Sequence, residues 1–256
     1  MGLPSRRSRG TVFLPKEHGS WSLALEPVVL GLLAAPSLAG TALGLAAFSG
    51  FLARRPIKAV AQGNSGRGSR TAAGILVACA LAGLLCSVLL GSPALLARLL
   101  VLTPFAVLFV ISDAQGESRA ATAELAGSAA FSLLPFVLAS LAGWSASHAF
   151  GLTLLALGRS LPTVMTVRWY LRWHKGQEPS RLTTLLVGLG GLATPILLAA
   201  LRLVPWFAVV GGGLLWIRTG WLLSSRRPHW TARRVGITEA VLGVIYTTLA
   251  ILAYHG

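Results

Sequence analysis

The sequence predicts an all-α, polytopic membrane bundle of about nine transmembrane helices, and three observations carry that prediction. Of 256 residues 54% are hydrophobic and only 11% are charged, with a mean hydropathy of +0.72, whereas soluble domains carry about 25% charged residues. The apolar residues fall into runs close to the roughly 20 that a helix needs to cross a bilayer. The 22 Lys+Arg, against 7 Asp+Glu for a net charge of +15, gather in alternate connections between those runs, as the positive-inside rule requires. The composition excludes a soluble enzyme, a secreted disulfide scaffold and a disordered tail. The clustering of the positives also removes a nucleic-acid partner.

The first run, 20–36, follows an arm with Arg6, Arg7, Arg9 and Lys16; Pro15, Lys16, Glu17 and His18 stand where a cleaved signal would be apolar, so this run reads as a retained span. A break at Pro36-Ser37-Leu38 separates it from the second and shortest run, 39–53. One kinked element there would lower the count to eight. Arg54-Arg55-Pro56-Ile57-Lys58 and a flexible Gly63–Ser69 linker lead to the third run, 71–90, which contains Cys79 and Cys86. Seven residues apart on one helix, these cysteines are too distant to pair and read as small packing residues. Runs at 95–112, 122–141 and 146–166 follow, the fifth opened by Glu124 and the sixth containing Arg159 and Pro162. Pro162 predicts a kink. The last three lie at 183–201, 204–223 and 235–253, with Gly211-Gly212-Gly213 and Arg218 in the eighth and Glu239 opening the ninth. Triple glycine in a span suits close helix packing. The predicted organisation is an arm over residues 1–19 and one bundle domain over 20–253, with the N-terminus in the cytoplasm and the C-terminus outside.

Charges inside a span are costly and mark function by default. Glu26, immediately before Pro27, together with Arg159, Arg218 and Glu239, belongs in this class. Ion pairing that pins helix register is the structural alternative. At the end of the sixth run Arg168, Arg172 and Lys175 recur at i, i+4 and i+7, which places them on one helix face beside Trp169 and Trp173. With Arg54 or Arg55 closing the site from the second span, such a face could grip phosphate oxygens. It could equally be ordinary membrane anchoring with an aromatic belt. Lys16, Glu17 and His18 would stand at the mouth of that pocket, or form a helix cap. Only one aspartate, Asp113, occurs and no His/Cys cluster has ligand spacing, so no metal and no cofactor are expected.

The string Pro15-Lys16-Glu17-His18-Gly19-Ser20-Trp21 resembles the opening of the YwiC-like family of bacterial membrane proteins, whose hallmark is Pro-Lys-(Glu/Gln)-His-Gly-Ala-Trp. The likeness extends to Glu26-Pro27, to Arg159-Ser160-Leu161-Pro162-Thr163 with Arg168, and to Arg234-x-Gly236-x-x-Glu239. It implies a bacterial cytoplasmic membrane and carries no biochemical activity. In layout the chain is also similar to UbiA-type intramembrane prenyltransferases, which hold Mg²⁺ and a prenyl diphosphate on Asp-rich motifs at the cytoplasmic ends of helices two and six. Here those places are basic, so an anion would be held directly by Arg and Lys.

Three functions fit these residues. The first is binding of an anionic amphiphile, an isoprenoid or lipid phosphate, in a cytoplasm-facing basic pocket. Its expected ligand residues are Lys16, Glu17, His18, Glu26, Arg54, Arg55, Glu124, Arg159, Arg168, Arg172 and Glu239, with membrane lipids as the surrounding partner. The second is secondary transport of a small anionic solute, and the third is a structural membrane subunit. Oligomeric state is not legible.

Overall fold

The computed structural model describes residues 18–63, 66–114 and 121–255. Lys16 and Glu17 lie outside this range, as does the side chain of His18. Among the described residues the secondary structure is entirely helical: α1 (His18–Ala34), α2 (Leu38–Ala61), α3 (Arg67–Leu90), α4 (Ala94–Leu99), α5 (Thr103–Ala114), α6 (Ala121–Ser132), α7 (Leu134–Leu141), α8 (Ala146–Trp173), α9 (Arg181–Ala200), α10 (Ala208–Leu223) and α11 (Ala232–His255). The fourth and fifth expected spans each consist of two segments, α4 with α5 and α6 with α7, and the remainder correspond one to one. α1 and α2 are separate. Ser37 caps α2 by accepting from the Gly40 amide at 3.0 Å, and Pro36 before it has no amide to continue α1.

The two breaks have a common cause. Pro135 lies in the first turn of α7 and Pro104 in that of α5, and neither can donate to the carbonyl four residues back. Around Leu133 and Leu100–Leu102 the chain closes i→i−3 bonds instead, such as Phe136 N–H to Leu133 O at 3.2 Å and Leu102 N–H to Leu99 O at 3.0 Å. Pro162 does not divide α8, which runs continuously over 28 residues. Its ring is covered by Gly191 of α9, where a Cβ would come within 2.7 Å of Pro162 Cγ and 2.8 Å of the Gly158 carbonyl. Gly212 of α10 receives the Pro195 ring of α9 in the same manner. Proline in one helix and glycine in the next therefore draw α8, α9 and α10 together.

Burial identifies the solvent. α3 packs chiefly on α2, burying Ser69, Ala72 and Ser87 while exposing leucines such as Leu89 at 75%. The Ser87 hydroxyl donates to the Ala39 carbonyl at 2.7 Å. Polar groups inside and leucines outside suit a hydrocarbon surround and would be unfavourable in water. Five helical stretches have the length and apolarity to cross a membrane, and shorter apolar helices accompany them. The protein is a multi-pass membrane bundle.

Alternating helices place the ends of α2, α5, α8 and α10 and the starts of α3, α6, α9 and α11 on one face. Long-range pairs agree with that alternation. Lys58 meets Asp113, Arg168 meets Glu124 and the Tyr170 hydroxyl donates to Pro228 O on the basic face. His255 Nε2 lies 2.9 Å from Leu33 O on the other. α1 and α8 occupy the centre, each packed on α6, α7 and α11 and on one another.

Candidate functional site

Two constellations assemble from charges that the sequence scatters over more than one helix. The first surrounds a cavity of about 650 Å³ between α2, α5 and α6, extending to Leu134 at the start of α7. Its walls are apolar: Phe51 and Phe131 meet edge to face at 5.7 Å, and Phe109 and Leu102 line the α5 and α4–α5 side. Gly127 makes room for the Phe109 ring, since a Cβ there would lie 2.9 Å from Phe109 Cδ2. At the basic face of the membrane the cavity becomes polar. Lys58 Nζ donates to Asp113 Oδ1 at 3.1 Å and to the Asp113 carbonyl at 2.7 Å, while Arg54 Nε stands 3.9 Å from Asp113 Oδ2. The Arg54 guanidinium also lies 5.0 Å from the centre of Phe109 and 5.7 Å from that of Phe51, within cation–π range. Among the described residues one carboxylate against two cations leaves the lining charges of this end at +1. Arg55 is half-buried and does not line the cavity.

The second constellation is buried where α1, α8, α10 and α11 meet. Arg159 Nε lies 3.3 Å from Glu26 Oε2, and Arg159 Nη2 donates to the Glu239 carbonyl at 3.0 Å. Arg218 Nη2 donates to Glu239 Oε2 at 2.7 Å and to Thr163 Oγ1 at 3.0 Å. Thr163 accepts from Arg159 as well, and its own hydroxyl donates to the Arg159 carbonyl at 2.8 Å. This uses the full capacity of a hydroxyl, one donor and two acceptors. Arg159 is 2% exposed. Two arginines and two glutamates make a neutral set, the condition under which ions persist in a low-dielectric interior. Gly243 of α11 lies directly beneath the Glu26 carboxylate, and a Cβ there would overlap it.

The expected meeting of the second and sixth spans does not occur. α2 packs on α3, α7 and α1, and α8 packs on α9, α7 and α6, so α7 stands between them. Arg168 is engaged by Glu124 of α6 at 2.6 Å, and Arg172 is exposed with its Nε donating to Gln177 Oε1 at 2.7 Å. Neither lines the cavity. A shared membrane level fixes the depth of two spans but not their azimuth around the bundle. Trp169 and Trp173 stack with ring centres 6.4 Å apart, and Arg227 covers Trp173 at 3.6 Å. Of the expected residues, Glu26, Arg159 and Glu239 come together with Arg218, and Arg54 reaches the cavity. Lys58 and Asp113 were not among the expected ligand residues. The signal for Asp113 was its position, a lone aspartate where the fourth span meets the basic face.

Residues 14–139 match the family model described as YwiC-like protein. No curated protein and no solved structure matches the chain. The matched stretch contains every residue lining the cavity, and Glu26, whereas Arg159, Arg218 and Glu239 follow it.

Proposed function

We propose that this YwiC-like membrane protein binds an anionic amphiphile, an isoprenoid or lipid phosphate, in the cavity between α2, α5 and α6. The observation that carries the reading is the cavity's division into an apolar body lined by Phe51, Phe109 and Phe131 and one cationic end formed by Arg54 and Lys58. The volume of about 650 Å³ falls in the range of about 300–1,000 Å³ usual for small-ligand pockets. Arg54 would fork onto the head group while the chain lies along the phenylalanines. Two variants test the reading in detergent micelles at about pH 5, where the probe, dodecyl phosphate, carries about one negative charge. Arg54→Ala removes one charge-assisted contact of about 1.5–3 kcal/mol, so affinity should fall about 10- to 100-fold. Ala130→Trp, on the α6 wall, should abolish binding by filling the cavity and leave the unliganded melting temperature near that of the parent. Arg168→Ala and Arg226→Ala lie off the cavity and should change affinity less than twofold. Equal losses in Arg54→Ala and Arg226→Ala would reduce the basic residues to topology signals.

The proposed site faces the cytoplasm, in the cytoplasmic membrane of a bacterium, because the basic connections should be the retained ones. With the native cysteines replaced, a cysteine beside Pro93 should label from outside intact cells, and one beside Gly66 only after permeabilisation. The reverse pattern would invert the orientation. Secondary transport of a small anionic solute is the second reading, favoured by the buried Glu26–Arg159–Arg218–Glu239 set. Uptake of an anion by proteoliposomes that Arg159→Lys abolishes, with amphiphile binding intact, would select it.

A further inference from the structure

The cavity has an opening whose position constrains what enters. α2 and α5 face one another across it, and the Lys58–Asp113 and Arg54–Asp113 pairs span its basic end. Beside them Ile57 of α2 and Val110 of α5 both line the cavity and are 45% and 62% exposed. Large apolar side chains of this exposure belong against lipid in a membrane bundle, so the cavity opens at a seam between the helices towards the bilayer as well as at its basic end, where Ala61 and Gln62 also line it and are exposed. Within the seam Asp113 occupies the position an anion would take. It is itself buried, Lys58 holds it through both a carboxylate and a carbonyl oxygen, and Arg54 lies at 3.9 Å, beyond hydrogen-bond reach.

Resting on the amphiphile reading, we infer that the ligand is a single-chain amphiphile with one negative charge, which enters from the bilayer between α2 and α5 and takes the place of the Asp113 carboxylate on Arg54 and Lys58. Electroneutrality decides the charge. Among the described residues the lining groups sum to +1, and although Arg54 and Lys58 are 27% and 32% exposed, an unmatched charge beside apolar walls still carries a cost. A singly charged oxyanion brings the sum to zero, whereas a diphosphate leaves it negative beside Asp113. Lys58 retains its bond to the Asp113 carbonyl during the exchange, so the seam opens at the carboxylate without the two helices separating. The shared ligand chemistry is that of a phosphodiester or carboxylate head on one apolar chain.

Two probes with the same chain and different heads test this in zwitterionic nanodiscs: dodecyl methyl phosphate, with one charge, and dodecyl diphosphate. The parent protein should bind the first about tenfold more tightly than the second. Asp113→Asn raises the lining charge to +2 and should reverse that order by tightening the diphosphate about tenfold. Lys58→Gln lowers the sum to zero and should weaken both probes at least tenfold, a charge-assisted contact being lost in each case. Inorganic phosphate at millimolar concentration should displace neither probe; displacement would make this an aqueous anion site and overturn entry from the bilayer. If the parent and Ala130→Trp are alike in binding neither probe, the amphiphile reading itself fails. If the parent binds and Asp113→Asn leaves the order unchanged or weakens both probes, the amphiphile reading stands and the exchange at Asp113 is wrong. Melting without ligand reports whether Asp113→Asn is folded, and if it is not, an unchanged order in Lys58→Gln with undiminished affinity overturns the inference.

Discussion

Replacement of Arg159 by alanine should destabilise the bundle by about 3–5 kcal/mol, the cost of leaving a buried charge without its partner. Arg159 lies against Glu26 of α1 and the Glu239 carbonyl of α11 and donates to Thr163, so its loss removes ties between α8 and two other helices together. For a chain of this size that corresponds to a fall of roughly 6–20 °C in melting temperature, measured on detergent-solubilised protein by tryptophan fluorescence. Arg159→Lys keeps the charge but not the fork, and should recover only part of the loss. Replacing Arg218 and Glu239 together by methionine removes an opposite pair, and should cost less than either single replacement. If Arg159→Ala melts within 2 °C of Arg226→Ala, the four charges are not structural.

Gly243→Ala reaches the same cluster from the backbone. The added Cβ overlaps the Glu26 carboxylate, so either that side chain leaves Arg159 or α11 moves away from α1. Overpacking of this kind costs about 1–3 kcal/mol, and displacement of the carboxylate adds to it. The mechanism makes a second, sharper demand. In the Glu26→Ala background the obstruction is gone, so Gly243→Ala should then be nearly neutral and the two substitutions should couple by about 0.5–3 kcal/mol. Additive effects in the double variant would show that glycine is needed at 243 for some other neighbour.

The number of helical rods and their alternation were legible because each span is a long apolar run and each basic connection carries a sign. The breaks at Leu100–Leu102 and at Leu133 were marked by Pro104 and Pro135, yet hydropathy passes smoothly over both and merges four helices into two. Glu26, Arg159, Arg218 and Glu239 stood out because charge in a bilayer needs a reason. That all four share one partnership depends on helix azimuth, which a hydropathy pattern nearly uniform around each helix does not encode. The cavity was least legible. Its walls are ordinary phenylalanine and leucine, and its polar end relies on a lone aspartate pairing with α2 across 55 residues of sequence.

Glu26 of α1 and Glu239 of α11 are far apart in the sequence, and their arrangement has a temporal side. A ribosome adds about 5–20 residues per second, so α1 enters the membrane roughly 10–40 s before α11 exists. During that interval the Glu26 carboxylate lacks the native surroundings that α8 and α11 provide. Arg218 then waits for Glu239, which lies on α11. A chain cut short before α11 would therefore retain Arg218 in the bilayer without the Glu239 carboxylate. The four-charge cluster thus becomes neutral only after α11 has joined the helices before it.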